Sequence, residues 1–346
     1  MSNFSQLSHL GWQSFFQQQL SLEEWEDCLP CRVIEQHKSE LTLASFTSRF
    51  NISISSTMPD IVVGDWVLLN EKHQFIRLLD RKTCFQRKAP GTRMKYQLIS
   101  ANVDTAFIVS SMNADFNLSR IERFLAVVHE AGAEPVIVLS KSDLVSSPET
   151  YLEQIRTLGT NLMVEAVNCL DIQGVSKLND WLNTGDTVCV LGSSGVGKST
   201  LINTLTGETS QRTGAIREDD KKGRHTTTRR SLIELACGAL ILDTPGMREI
   251  QITDCKSGIS STFIDIENLA MNCRYKDCQH QAEPGCAVRK AVESGNLESR
   301  RVDNYHKLRR EEALNSASLT ERRARDKALG QYYKRTLKEA KKFKGR

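Results

Sequence analysis

The sequence predicts a multidomain chain built around a mostly parallel α/β sheet, with a small all-β barrel before it and a zinc-binding segment with a basic helical tail after it. Three observations predict this. Short apolar runs crowd residues 31–97, strand and helix patterns alternate from residue 98 to 254, and three cysteines with one histidine gather within 14 residues further on. The expected units are an N-terminal extension (1–30), the barrel (31–97), the α/β domain (98–254), the zinc-binding domain (255–315) and the tail (316–346).

A length of 346 residues suits two or three domains. Hydrophobic content of 39% supports real cores, and no run of 18 apolar residues indicates a membrane span. The opening MSNFSQLSHLGWQSFFQQQ lacks a basic start followed by a continuous apolar stretch, so a cytoplasmic protein is expected. Cys84, Cys169, Cys189 and Cys237 stand singly and read as reduced, small hydrophobes. Cys28 and Cys31 form a CxxC with no second pair nearby and read as ordinary thiols. The net charge of +4 is uneven. Residues 316–346 hold 11 Lys or Arg against 3 Asp or Glu, a net of +8, as in an arm that binds an anionic polymer.

The elements follow in order. Residues 1–30 are polar with scattered aromatics (Trp12, Phe15, Phe16, Trp25) and read as a short helix or a lead. The runs CRVIEQ, ELTLAS, FNISIS, DWVLLN and FIRLLD read as about five strands, enough for a barrel resembling an OB fold, a fold often used on RNA. The next segment, RKTCFQRKAPGTRMK, is basic and reads either as a solvated linker or as a phosphate-contacting loop. TAFIVSS, PVIVLS, LMVEAV and TVCVL read as strands separated by helices, the first helix being LSRIERFLAVVHEAG with Gly132 near its end. After the helix KSTLINTLT, SLIELA and ALILD flank Cys237-Gly238 as a hairpin, which adds one antiparallel strand.

The stretch Gly192-Ser193-Ser194-Gly195-Val196-Gly197-Lys198-Ser199-Thr200 matches GxxxxGK[ST] between a strand and a helix, the context a phosphate-binding loop requires. Backbone N–H groups of such a loop point at phosphate oxygens. Lys198 is expected to reach the β- and γ-phosphates, and Ser199 to ligate Mg²⁺. Asp243 ends a strand at DTPG, where a carboxylate binds Mg²⁺ through water, and Gly246 lets a backbone N–H meet the γ-phosphate. Between them lies KKGRHTTTRR, whose Thr227 is the favoured residue to close over Mg²⁺. The base is expected to be read by Ser140-Lys141-Ser142-Asp143 after PVIVLS, because an Asp accepts from guanine N1 and N2 and adenine offers no such donor pair. Asn168-Cys169 stands where a backbone N–H would meet guanine O6. The substrate is thus GTP. All six strands of a Ras-like sheet are present, but the chain starts at the fourth, so the motif order is G4-G5-G1-G2-G3, a circular permutation.

Cys273, Cys278, His280 and Cys286, within CRYKDCQHQAEPGC, supply a closed tetrahedral set for one structural Zn²⁺. Such an ion substitutes for a core too small to fold alone.

The permuted order of SKSD, GSSGVGKS, GRHTTT and DTPG, together with this cluster, resembles the RsgA (YjeQ) family of ribosome small-subunit-dependent GTPases over about residues 31–315. That resemblance implies hydrolysis of GTP to GDP and phosphate, turnover stimulated by the small (30S) ribosomal subunit, contact with its 16S rRNA, and a role in late subunit maturation. It also implies a catalytic role for His225, beside the switch threonines. Met247 stands where Ras-like enzymes place a Gln that orients the attacking water, and it cannot hydrogen-bond one. Ser140 departs from the usual Asn or Thr, and Asn168-Cys169 from the usual Ser-Ala. A monomer without membrane attachment is expected, its Tyr332, Tyr333 and Phe343 set among basic residues suited to rRNA. The chain leaves the GTPase domain just after DTPGM, so nucleotide state is expected to reorient the zinc domain. Two other classes share these features: a GTP-dependent switch acting on another RNA, and an RNA-binding scaffold with GTP as a structural ligand.

Overall fold

A computed structural model describes residues 3–88, 96–159, 161–207, 230–243 and 255–316. A 3-10 turn (Asn3–Leu10) and two short helices, α1 (Ser14–Gln17) and α2 (Leu22–Asp27), come first. Seven strands follow: β1 (Leu29–Gln36), β2 (Glu40–Ala44), β3 (Arg49–Ser53), β4 (Trp66–Leu69), β5 (Phe75–Leu78), β6 (Cys84–Lys88) and β7 (Tyr96–Ala101). The α/β part runs β8 (Thr105–Ser111), α3 (Leu118–Ala131), β9 (Glu134–Ser140), α4 (Pro148–Arg156), β10 (Met163–Ala166), α5 (Ile172–Val175), β11 (Thr187–Leu191), α6 (Lys198–Thr206), β12 (Arg230–Glu234) and β13 (Leu240–Asp243). Helices α7 (Lys256–Thr262), α8 (Ile264–Ala270), α9 (Ala287–Glu293) and α10 (Ser299–Ser316) complete the described chain.

The α/β sheet has the order β10-β9-β8-β11-β13-β12. Its strands are parallel except at β12, which pairs antiparallel with β13. Buried strands with two covered faces need apolar residues at every position, and the sequence supplies them. Ala106, Ile108, Ile137, Leu139, Cys189 and Leu191 face one core, whereas Phe107, Val109, Val136, Val138, Val188 and Val190 face the other. Helices α3 and α4 cover the first face through Ile121, Leu125, Val128 and Ile155. Helix α6 covers the second through Leu201 and Ile202. Asn117 caps α3 by accepting from the Arg120 N–H, and Gly132 ends it in the left-handed conformation at φ 79°.

The β-rich N-terminal part is continuous with this sheet. Strand β1 pairs with β4 through its first half, with β2 through its second, and at Glu35 and Gln36 with β12. A register shift between Val33 and Glu35 lets the strand bend from one partner to the next. Cys31, Val33, Leu41, Leu43, Val67 and Leu69 fill its interior.

Residues 3–27 are more than a lead. Trp12 and Phe16 bury their rings against Trp66 of β4, at centroid separations of 4.8 and 5.8 Å. Arg32 is fully buried beneath them, over the Trp66 ring at 5.7 Å. Its guanidinium donates to the Leu10 and Asn102 carbonyls. Burial lowers its pKa to about 10, against the pull of Asp104 and Asp65. Gly11 and Gly185, both at positive φ, pack so closely that a Cβ on Gly185 would stand 2.1 Å from the Ser8 carbonyl oxygen. The basic segment after β5 is partly structural as well. Arg81 binds Asp65 in a fork at 2.7 and 2.8 Å, and Lys82 reaches Asp104 at 3.2 Å. Strand β6, which this segment contains, pairs with β7.

Candidate nucleotide and metal sites

The phosphate-loop stretch leaves β11 at its C-terminal end and enters α6 at Lys198. Gly192, Gly195 and Gly197 have φ of 142°, 78° and 99°, a backbone path that side chains disfavour. A Cβ at Gly192 would lie 2.3 Å from the Val109 carbonyl oxygen of neighbouring β8, so the tight exit from the strand requires glycine. The Lys198 ammonium is buried and donates to the carbonyls of Gly192, at 2.8 Å, and Ser193. Ser193 Oγ accepts from Arg120 of α3 at 3.1 Å.

The residues expected to read the base grip this loop. Ser140 is fully buried at the end of β9, and its hydroxyl donates to the Val196 carbonyl at 2.6 Å. The Lys141 ammonium donates to the Gly195 carbonyl at 3.1 Å. Lys141 itself sits at φ 63°, which turns the chain into the short Ser142–Leu144 turn that carries the exposed Asp143. The short Ser140 hydroxyl thus ties this turn to the loop. Cys169 lies on the same side: its sulfur would be 3.9 Å from a Cβ at Gly197, beside Ser140. Burial pushes its thiol up to about 12, with the Asp143 charge adding to that and Lys141 opposing it. The Thr204 hydroxyl of α6 donates to the Cys169 carbonyl at 2.6 Å. Segments 56 positions apart in sequence, Ser140 and Val196, thus meet as one site at the C-terminal edge of the sheet.

Asp243 is the last residue of β13, parallel to β11 and next to it, but its side chain lies outside the described residues. Gly246, Met247, His225 and Thr227 also lie outside them.

Cys273, Cys278, His280 and Cys286 place one ligand atom each within 4.8 Å of one another. The Cys273 and Cys286 sulfurs stand 3.9 Å apart, and His280 Nδ1 is 3.6 and 3.5 Å from them. Tetrahedral Zn²⁺ with Zn–S bonds of about 2.3 Å requires ligand separations of about 3.8 Å, so the donor set fits the ion in number, softness and spacing. Backbone N–H groups of Ala287 and Arg289 donate to the Cys273 and Cys286 sulfurs at 3.3 and 3.4 Å, an arrangement that favours thiolates. Left-handed backbone at His280 and Gly285 turns the loop around the cluster.

Residues 78–253 match the family described as RsgA GTPase. The chain belongs to the RsgA GTPase family. It is 52% identical over 342 residues to a small ribosomal subunit biogenesis GTPase RsgA 2 of Vibrio parahaemolyticus, covering 99% of this chain and 96% of that one. It is 45% identical to the RsgA protein of Mesorhizobium japonicum, covering 90% and 91%. Among solved structures, YjeQ from Thermotoga maritima aligns with a TM-score of 0.60 at 24% identity, covering 81% of this chain and 97% of that one. YloQ, a circularly permuted GTPase, aligns at 0.59 and 22%, covering 82% and 94%. These two likenesses show the fold. The permuted order read from the motifs is therefore that of the family, whose members are GTP-hydrolysing enzymes that use GTP with Mg²⁺.

Sequence reading missed two residues of the site. Arg120 carries no motif, since an exposed arginine on the first turn of a helix is common. Thr204 lies nearly two turns into α6, where only the fold reveals the Cys169 carbonyl beside it.

Proposed function

We propose that the protein binds the small (30S) ribosomal subunit through its 16S rRNA and hydrolyses GTP there during late subunit maturation, acting as a cytoplasmic monomer. The observation that carries the nucleotide half is the pair of bonds from Ser140 and Lys141 to Val196 and Gly195. They join a base-reading turn to a phosphate-binding loop, an arrangement with little purpose outside a purine nucleotide site. The names of its relatives support the ribosomal half, at 52% identity over nearly the whole chain.

In this reading Gly192–Thr200 cradle the phosphates, Lys198 neutralises the β- and γ-phosphates, and Asp143 accepts from guanine N1 and N2. Ser199 and Thr227 would hold Mg²⁺, with Asp243 acting through water and Gly246 at the γ-phosphate; the ion would offset charge on the transferring phosphate. Zn²⁺ on Cys273, Cys278, His280 and Cys286 would be structural, because all four positions are filled by protein. The barrel, read as OB-like, and the basic tail are the rRNA-binding parts.

Met247 cannot orient a water; the family resemblance assigns that role to His225, and the small subunit brings His225 to the water. The test compares GTP turnover of the wild type and His225→Ala with and without purified subunits. A subunit-stimulated rate that falls about a hundredfold in the variant is expected. Equal stimulation of both removes His225 from the mechanism. Absence of any stimulation by small subunits, with intact basal turnover, removes the ribosome from the proposal and leaves another RNA as the target.

A further inference from the structure

Helix α3 carries three charged residues within one turn, and they connect to two different parts of the molecule. The Arg120 guanidinium donates to Ser193 Oγ of the phosphate loop at 3.1 Å and to Asp115 Oδ2 at 2.8 Å. Glu122, wholly buried, accepts from Arg301 at 2.7 Å, from Arg300 at 2.9 Å and from the Asn304 amide, all on α10. Arg123 forks onto Glu311, also on α10, with both bonds at 2.6 Å.

We propose that Arg120 is a positioning residue for the nucleotide: it fixes Ser193 of the phosphate loop, and α3 carries that restraint to α10 through Glu122 and Arg123. The inference rests on reading Gly192–Thr200 as the phosphate loop. Ser193 is held on both sides, its carbonyl by Lys198 and its hydroxyl by Arg120. Loop N–H groups must be aimed to within about 0.5 Å to bind an anion well, so a tether on the residue after Gly192 bears directly on affinity. Asp115 binds the same guanidinium nitrogen that reaches Ser193 and limits the positions it can take. At the other end, sliding α10 along α3 would strip a buried carboxylate of two cations, which is strongly unfavourable. The two connections leave the same turn of one helix, so a partner that pulls on α10 pulls α3 with it and is felt at Ser193. By linkage, the nucleotide acts on that partner with equal strength.

The experiment is a double-mutant cycle on the full chain, read as Kd for GDP and for a non-hydrolysable GTP analogue. Arg120→Ala and Ser193→Ala are each expected to weaken binding about tenfold, the worth of one hydrogen bond to a charged group. The double variant should lose no more than either single one, and Arg120→Lys should recover part of the loss. Additive losses would overturn the tether. Should Arg120→Ala fail to fold, Arg120→Gln closes the same cycle. Arg300→Ala and Glu311→Gln test the route to α10. Each should weaken nucleotide binding about two- to threefold in the wild-type background, and not at all when Arg120 is already Ala. Unchanged affinity in the wild-type background would overturn the route while leaving the tether. Lys198→Ala serves as the control. Tight nucleotide binding by that variant would sink the phosphate-loop reading itself, a failure distinct from the others.

Discussion

The α/β sheet is joined to a neighbour on each side, and the two junctions use opposite physics. On the N-terminal side the joint is backbone and ring. Strand β1 extends the sheet by pairing with β12, Arg230 donates to the Leu98 carbonyl at 3.0 Å, and Trp12 packs edge to face on Trp66 with Phe16 tilted against both. On the C-terminal side the joint is charge and close contact. Glu122 sits among Arg300, Arg301 and Asn304; Arg301 also forks onto Asp265 and lies 4.8 Å over Phe263. Strand pairing adds bond to bond and tolerates small shifts. A buried carboxylate ringed by cations has one satisfactory arrangement and is costly to disturb. The first junction therefore behaves as an extension of the core, the second as a latch with a defined closed position. If the C-terminal part changes orientation with nucleotide state, the motion has to carry α3 along rather than part from it.

Removing one side of each junction exposes the contrast. Glu122→Ala leaves Arg301, 3% exposed at its side chain, facing a hole with Asp265 as its one remaining carboxylate partner here, and takes from Arg300 its buried acceptor. A loss of about 3–5 kcal/mol is expected from breaking a buried ion pair. Trp66→Ala removes the ring on which the N-terminal clasp rests and should cost about 3–5 kcal/mol through lost burial and the cavity left behind. Chemical denaturation separates them further. Replacing the acid by its neutral isostere, Glu122→Gln, should recover only a small part of the first loss, because the amide oxygen still accepts from one guanidinium but the charge is gone and the amide NH2 faces other donors. Trp66→Phe should recover much of the second. A Glu122→Gln variant as stable as the wild type would mean that shape, not charge, holds the latch.

The next effect is steric. Gly258 of α7 lies on α3 so closely that a Cβ would stand 2.0 Å from the Ala126 carbonyl oxygen and 2.8 Å from the Glu130 nitrogen. The same approach lets the Gly258 N–H donate to Glu130 at 2.7 Å and Cys255 Sγ to the Ala126 carbonyl at 3.2 Å. Gly258→Val must push α7 off α3, at a cost of about 1–3 kcal/mol from overpacking. The loss should appear in hydrogen exchange of α7 and α10 before it appears in β1 to β5. Uniform acceleration across both junctions would argue against a local latch.

How much of this was legible in sequence follows from how far each interaction reaches. The strands β1 to β5 and β8 to β11 were readable because period and turn residues are local properties, and the phosphate loop because its glycines are adjacent in sequence. Ser140 and Lys141 were readable as a motif, though their bonds to Val196 and Gly195 were not, because a motif records identity and not what it touches. The N-terminal clasp was missed since Trp12 and Phe16 stand in a polar stretch, and only Trp66 makes them core. Strand β6 was hidden by its basic residues, of which Arg87 bonds to Gln97 across the hairpin. The latch is the extreme case. Glu122 and Arg301 are 179 positions apart, and charges on amphipathic helices ordinarily mark solvent.

The smallest expected effect lies on the N-terminal side and concerns pH. Glu24 caps α2 by accepting from the Ser21 N–H and also receives the Arg77 fork at 2.6 and 2.9 Å. The Arg77 hydrogen bonds, then the Ser21 N–H, hold its carboxyl down from the ordinary 4.5 to about 2. A depressed folded pKa contributes stability that is complete above the unfolded value and is lost as pH falls through the folded one. The window is thus pH 4.5 down to about 2. Both side chains are partly exposed, so screening holds the contribution to about 1 kcal/mol or less. Glu24→Gln keeps an acceptor for the cap and removes only the charge. The gap in melting temperature between wild type and variant should be constant above pH 5, narrow below 4.5 and nearly close by pH 2. No gap at any pH would assign the residue's worth to the cap alone, which the variant keeps, and the N-terminal junction would then contain no charge contribution from this pair.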